Sequence, residues 1–122
     1  MFGRKIVRFS CMNGKDAEEL VKSGLRKSKA PKGLFLCDRQ RAAISAFKDS
    51  PSFNKKSGKK GVVCFRFDAK SYDNFVHEFT PYDNFAASEH ASYYEISTSN
   101  FNAVNAAIKE GKIEVEIINL VD

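Results

Sequence analysis

Two clusters of cations and two histidines are the residues whose types and spacing could do chemistry here. Arg26, Lys27, Lys29 and Lys32 lie between Gly24 and Gly33. On a connecting loop they are either a solvated basic surface or the rim of a pocket for an anionic ligand. A second set, Lys55, Lys56, Lys59 and Lys60, falls in a stretch rich in Ser and Gly, and is placed to touch phosphates of a nucleic acid or an acidic partner. His77 and His90 could serve as base and acid beside such a lysine-rich surface, as in a basic ribonuclease. His90, next to Glu89 in loop-like sequence, suits that better than His77, whose neighbours Val76 and Phe79 face inward on an expected helix.

Other chemistries lack their residues. Cys11, Cys37 and Cys64 are odd in number and not spaced as metal ligands. They read as reduced, mostly buried thiols of a cytoplasmic protein, and no metal is expected. There is no Walker loop, Rossmann glycine fingerprint or nucleophile elbow. No apolar run is long enough to span a membrane. Met1-Phe2-Gly3-Arg4-Lys5 turns polar too soon for a signal peptide.

Charge is divided along the chain. Residues 1–70 hold 18 Lys and Arg against 6 Asp and Glu, a net of +12, while residues 71–122 hold 2 against 9, a net of −7. Either the basic half meets a nucleic acid, a nucleotide or an acidic protein, or the two halves neutralise each other in the fold.

The elements that must position these groups follow from periodicity. With 122 residues, 43% of them hydrophobic and eleven of them Phe, the chain has material for one globular domain, residues 1–122. Residues 5–9 read as a first strand and 15–23 as a helix stopped by Gly24, with Leu20 and Val21 turned inward. Leu34-Phe35-Leu36-Cys37 is a short apolar strand, and Asp38 can cap the following helix, 39–48. Residues 50–61 form a basic loop, and 61–67 the clearest central strand. Tyr72, Phe75, Val76 and Phe79 recur at helical spacing, so 71–79 is expected to be a helix. Residues 80–91 are loop-like. Residues 92–97 alternate as a strand, 98–110 form a helix closed by Gly111, and 112–121 is a last strand with Ile113, Val115 and Ile117 on one face. The order is five strands alternating with four helices, an α+β or α/β domain.

Three pieces of the first half, in order, resemble the ADP-ribosyltransferase superfamily, in its poly(ADP-ribose) polymerase-like or small toxin-like branches. They are Ile6-Val7-Arg8-Phe9-Ser10, then Gly24-Leu25-Arg26, then Gly33-Leu34-Phe35-Leu36-Cys37-Asp38 leading into the Ala-rich helix from Ala42 to Phe47. Beyond residue 60 the likeness is one of element order only. Arg8 stands where the polymerase-like branch has His, as in the arginine-dependent branches, and Phe35 stands where Tyr is common. The catalytic Glu of the family begins a late strand. Here Ser92 or Tyr93 aligns with it, and Glu95 is slightly displaced. Ser97-Thr98-Ser99 and Glu114-Val115-Glu116 resemble motifs of the arginine branch, at too short an interval.

The resemblance implies an α+β fold with a split, mostly antiparallel sheet and short flanking helices. It implies NAD as cofactor and transfer of ADP-ribose to a nucleic acid or protein target, as by a toxin or effector. Arg8 and Glu95 would be catalytic, with Arg8 also on the phosphates or ribose. Phe35 would be the shelf for nicotinamide, and Ser10, Gly33 and Tyr94 would line the cofactor. A basic ribonuclease-type toxin, and a fold that binds a nucleotide or nucleic acid without catalysis, are the alternatives.

Overall fold

The computed structural model describes residues 5–48, 58–79 and 91–121. The described chain runs β1 (Ile6–Asn13), α1 (Gly14–Ser23), β2 (Leu34–Cys37), α2 (Gln40–Lys48), β3 (Lys60–Phe67), α3 (Ala69–Phe75), β4 (Val76–Phe79), β5 (Tyr93–Ile96), a 3-10 turn (Thr98–Asn100), α4 (Phe101–Lys109) and β6 (Ile113–Val121). The six strands form one antiparallel open sheet in the order β4-β5-β2-β1-β3-β6. The α+β class and the antiparallel sheet are therefore as expected.

β3 is nearly continuous in apolar residues because both of its faces are covered. Val63, Phe65 and Phe67 meet Ile117, Val115 and Ile113 of β6 in register. On that side of the sheet they join Leu34, Leu36 and Ile96, and α1 and α4 close over them with Ala17, Phe101, Val104 and Ala107. Burying each large side chain of this set contributes about 1.5–3 kcal/mol. Alternation sends Val62 and Cys64 to the opposite face. There α2 lays Ala42 and Ala43 against Cys37, Tyr93 and Phe9. The two wings of the sheet are joined narrowly. β1 pairs with β3 along all eight residues, but with β2 through Phe9 and Cys37 alone.

Several expectations are corrected. The helix expected over 71–79 stops at Phe75, and Val76–Phe79 is a strand. Val76 pairs with Ile96 and is buried there, so a partner strand outweighs the helical spacing of four apolar residues. This makes six strands rather than five. β1 extends to Asn13 because β3 supplies a ladder partner for every residue from Ile6 onward. On α1 it is Ala17 that is buried, Leu20 is half-buried, and Val21 is 41% exposed. Asp38 is not spent on α2. Its Oδ1 accepts from the Ser92 N–H at 3.1 Å, tying the end of β2 to the approach to β5.

Candidate functional site

β1, β2 and β5 are consecutive in the sheet, so the three strands expected to carry the site are neighbours. Their side chains nevertheless divide between the two faces. Glu95 and Tyr94 are adjacent in one strand and must point oppositely. The sheet thus sorts six expected site residues three and three: Arg8, Ser10 and Tyr94 on the face carrying α1, α3 and α4, and Gly33, Phe35 and Glu95 on the other. The expected cleft with Arg8, Phe35 and Glu95 on one surface is corrected accordingly.

On the first face the Arg8 guanidinium lies between two tyrosine rings, 5.0 Å from the centroid of Tyr72 and 4.4 Å from that of Tyr94. Its Nε and Nη2 donate to the Tyr72 hydroxyl at 3.2 and 3.0 Å, and Nη1 donates to the Val7 carbonyl at 2.8 Å. Among the described residues no carboxylate pairs with it. The aromatic faces and the hydroxyl take the place of a counter-ion. Burial pushes the Tyr72 phenol above its ordinary value, against the pull of the Arg8 guanidinium. Edge-on contacts of Tyr72 with Phe67 and Tyr94 fix the cage. Ser10 is 6% exposed, beneath the helices.

On the second face Phe35 and Glu95 are directly opposite across β2 and β5, and His77 of β4 is opposite Glu95 on its other side. Residues so paired have Cβ atoms about 4.5–5.5 Å apart. Phe35 is 46% exposed, unlike its strand neighbours Leu34 and Leu36. Gly33 has φ +98, and a Cβ placed there would lie 2.9 Å from the Ile96 carbonyl oxygen and 3.7 Å from Glu95 Oε2. Only glycine adopts that backbone readily, and its missing Cβ lets β5 pass close to it. This face therefore presents an aromatic ring and a carboxylate together, with Gly33 buried beside them against β5.

The basic segments also divide. Lys55, Lys56 and His90 lie outside the described residues. Lys59 is exposed, but Lys60 is 5% exposed and its Nζ donates to the Gly58 carbonyl at 3.0 Å. Lys60 is thus corrected from a surface phosphate contact to a buried strand residue. In the Gly24–Gly33 loop all four cations are exposed, and Arg26 and Lys29 share Glu19 at 3.3 and 3.6 Å.

The three cysteines are free thiols, two of them buried. Burial raises Cys11 to about 11 and Cys37 to about 12, which removes the thiolate that nucleophilic chemistry needs. Among the described residues no cluster of His, Cys, Asp and Glu could hold a metal ion, and no helix is long and apolar enough to cross a membrane. A groove between α3 and α4, lined in part by Ser71, Asn74, Phe75 and Ala103, contains none of the expected site residues.

Three residues take places here that the sequence does not show. Tyr72 stands in the sequence only as one position of the expected helix, and its partner Arg8 is 64 positions away, so no local signal connects them. His77 acquires its place beside Glu95 only because β4 is a strand. Asn105 had a signal, being an uncharged polar residue one turn from Phe101 on an apolar helix. Its amide clamps the backbone of Leu25, accepting from the N–H at 2.8 Å and donating to the carbonyl at 2.9 Å.

Comparisons with protein-family models, curated proteins and solved structures gave no match.

Proposed function

We propose that the protein binds NAD on the Gly33–Phe35–Glu95 face and transfers its ADP-ribose to a macromolecular acceptor. The observation that carries this reading is the direct cross-strand pairing of Phe35 with Glu95. NAD supplies a ribosyl–nicotinamide bond whose cleavage places positive charge on the ribose. Glu95 is the group that would meet that charge electrostatically. Phe35 offers a partly exposed ring on which a nicotinamide can lie. Arg8 does not share this face, so its expected catalytic role passes to stabilising the first face. The exposed cations Lys27 and Lys32, in the loop that ends at Gly33, are the ones available to a pyrophosphate.

The separation of Arg8 from Glu95 favours a second reading, a nucleotide-binding protein without turnover. Incubation of the purified protein with labelled NAD distinguishes the two. ADP-ribose transfer or NAD hydrolysis that is lost in Glu95→Gln and Phe35→Ala supports the transferase. Saturable NAD binding that is lost in Phe35→Ala, with no product, supports the binder. Absence of both binding and reaction refutes both.

A further inference from the structure

We infer that the Gly24–Gly33 loop is a preformed docking rim for the phosphodiester backbone of a nucleic acid. Basic loops are commonly loose, but this one is held at both ends and in the middle. At its start Asn105 grips both backbone groups of Leu25, whose side chain is 5% exposed. Within it, the N–H groups of Lys29 and Ala30 both donate to the Arg26 carbonyl at 3.1 Å. At its end Gly33 N–H donates to Ala30 O at 3.1 Å, and the chain passes directly into β2.

The surface so fixed is cationic with little else. Its exposed residues are Arg26, Lys27, Ser28, Lys29, Pro31 and Lys32. Among the described residues the single carboxylate within ion-pair reach, Glu19, is shared by Arg26 and Lys29. Among the described residues Lys27 and Lys32 have no carboxylate partner. A protein interface places an apolar patch at its centre, and this rim has only Pro31 to offer. Phosphate oxygens ask for cations and hydroxyls and nothing apolar. Charge on a loop already ordered also binds without the entropy cost of ordering it. A nucleic-acid backbone therefore fits better than an acidic protein. The rim is tested without NAD, because Lys27 and Lys32 are also the cations available to its pyrophosphate. Its continuity with Gly33 would bring a bound strand beside Glu95 as the acceptor, a consequence that does rest on the transferase reading.

The test is fluorescence anisotropy with end-labelled single-stranded RNA, single-stranded DNA and duplex DNA across a salt series, with poly-glutamate as the competing polyanion. Wild-type protein binds at least one oligonucleotide with a steep negative slope of log affinity against log salt. The doubly substituted Lys27→Ala/Lys32→Ala protein binds a single strand roughly tenfold or more weakly at low salt, with a slope smaller by about 1.4, from about 0.7 per phosphate contact. Asn105→Ala keeps every charge yet binds several-fold more weakly, because the rim is no longer held. Circular dichroism melts show that each variant is folded at the assay temperature. Affinity and slope unchanged in the double variant overturn the inference. So does Lys27- and Lys32-dependent binding of poly-glutamate without binding of any oligonucleotide, which assigns the rim to an acidic protein. None of these outcomes depends on whether NAD reacts.

Discussion

The Arg8 guanidinium stands 4.4 Å over the ring of Tyr94, and the next residue in that strand, Glu95, turns to the other face of the sheet. One step along the backbone thus separates a caged cation from a half-buried carboxylate on the opposite face. Arg8 acts on the packing of the first face, and the proposed NAD site lies on the second.

Arg8→Ala is accordingly expected to act on stability. It removes two cation–π contacts and the donors that reach the half-buried Tyr72 hydroxyl. The expected loss is about 2–3 kcal/mol, read as a lower midpoint of urea unfolding. Tyr72→Phe keeps the ring and loses the hydroxyl, and should cost about 1 kcal/mol. An Arg8→Ala protein with wild-type stability would overturn the structural role.

Phe35 and Leu36 should separate function from folding. Leu36 is fully buried, and Leu36→Ala is expected to cost about 2–5 kcal/mol. Phe35 is 46% exposed, so Phe35→Ala should cost about 1 kcal/mol, less than Leu36→Ala, while weakening the proposed NAD binding. Parallel urea titrations and NAD binding isotherms check both halves.

Gly24 should tolerate no side chain. Its φ is +84, and a Cβ there would lie 2.5 Å from Asn105 Oδ1. Gly24→Ala is expected to cost about 2 kcal/mol, part from the left-handed backbone and part from disturbing the Leu25 clamp. Thermal melts of Gly24→Ala and Gly111→Ala separate the two parts. Gly111 has φ +80 with open space around it, so its variant carries the backbone strain alone.

The thiols give a pH prediction. Burial raises Cys11 from an ordinary 9.0 to about 11, and Cys37 from 9.0 to about 12. The unfolded chain therefore releases these protons at lower pH than the folded one. Their contribution to stability is whole below pH 9.0 and is lost as pH rises through about 11 to 12. Denaturant midpoints should fall over that range, and less so in a Cys37→Ala protein. At neutral pH, iodoacetamide should modify the folded protein slowly and the denatured protein at all three cysteines.

Local pattern alone determined much of this protein. The boundaries of β2, the helical stop at Gly24 and the core face of Ile113, Val115 and Ile117 follow from short-range periodicity and turn residues, whereas periodicity left α+β and α/β both open and the pairing of the strands decided for an antiparallel sheet. Periodicity misled where a long-range partner had the larger effect. Val76–Phe79 satisfies a helix and a strand alike, and the ladder with β5 decided it. The assignment of side chains to faces was not available from sequence. Arg8, Phe35 and Glu95 each sit on a strand, but which of them share a surface depends on the registers of β1 with β2 and of β2 with β5. A shift of one residue in either pairing inverts every side chain beyond it. Registers are set by the burial of Phe65, Leu36 and Ile96 together, residues far apart in the chain that meet only when the whole sheet closes under its helices.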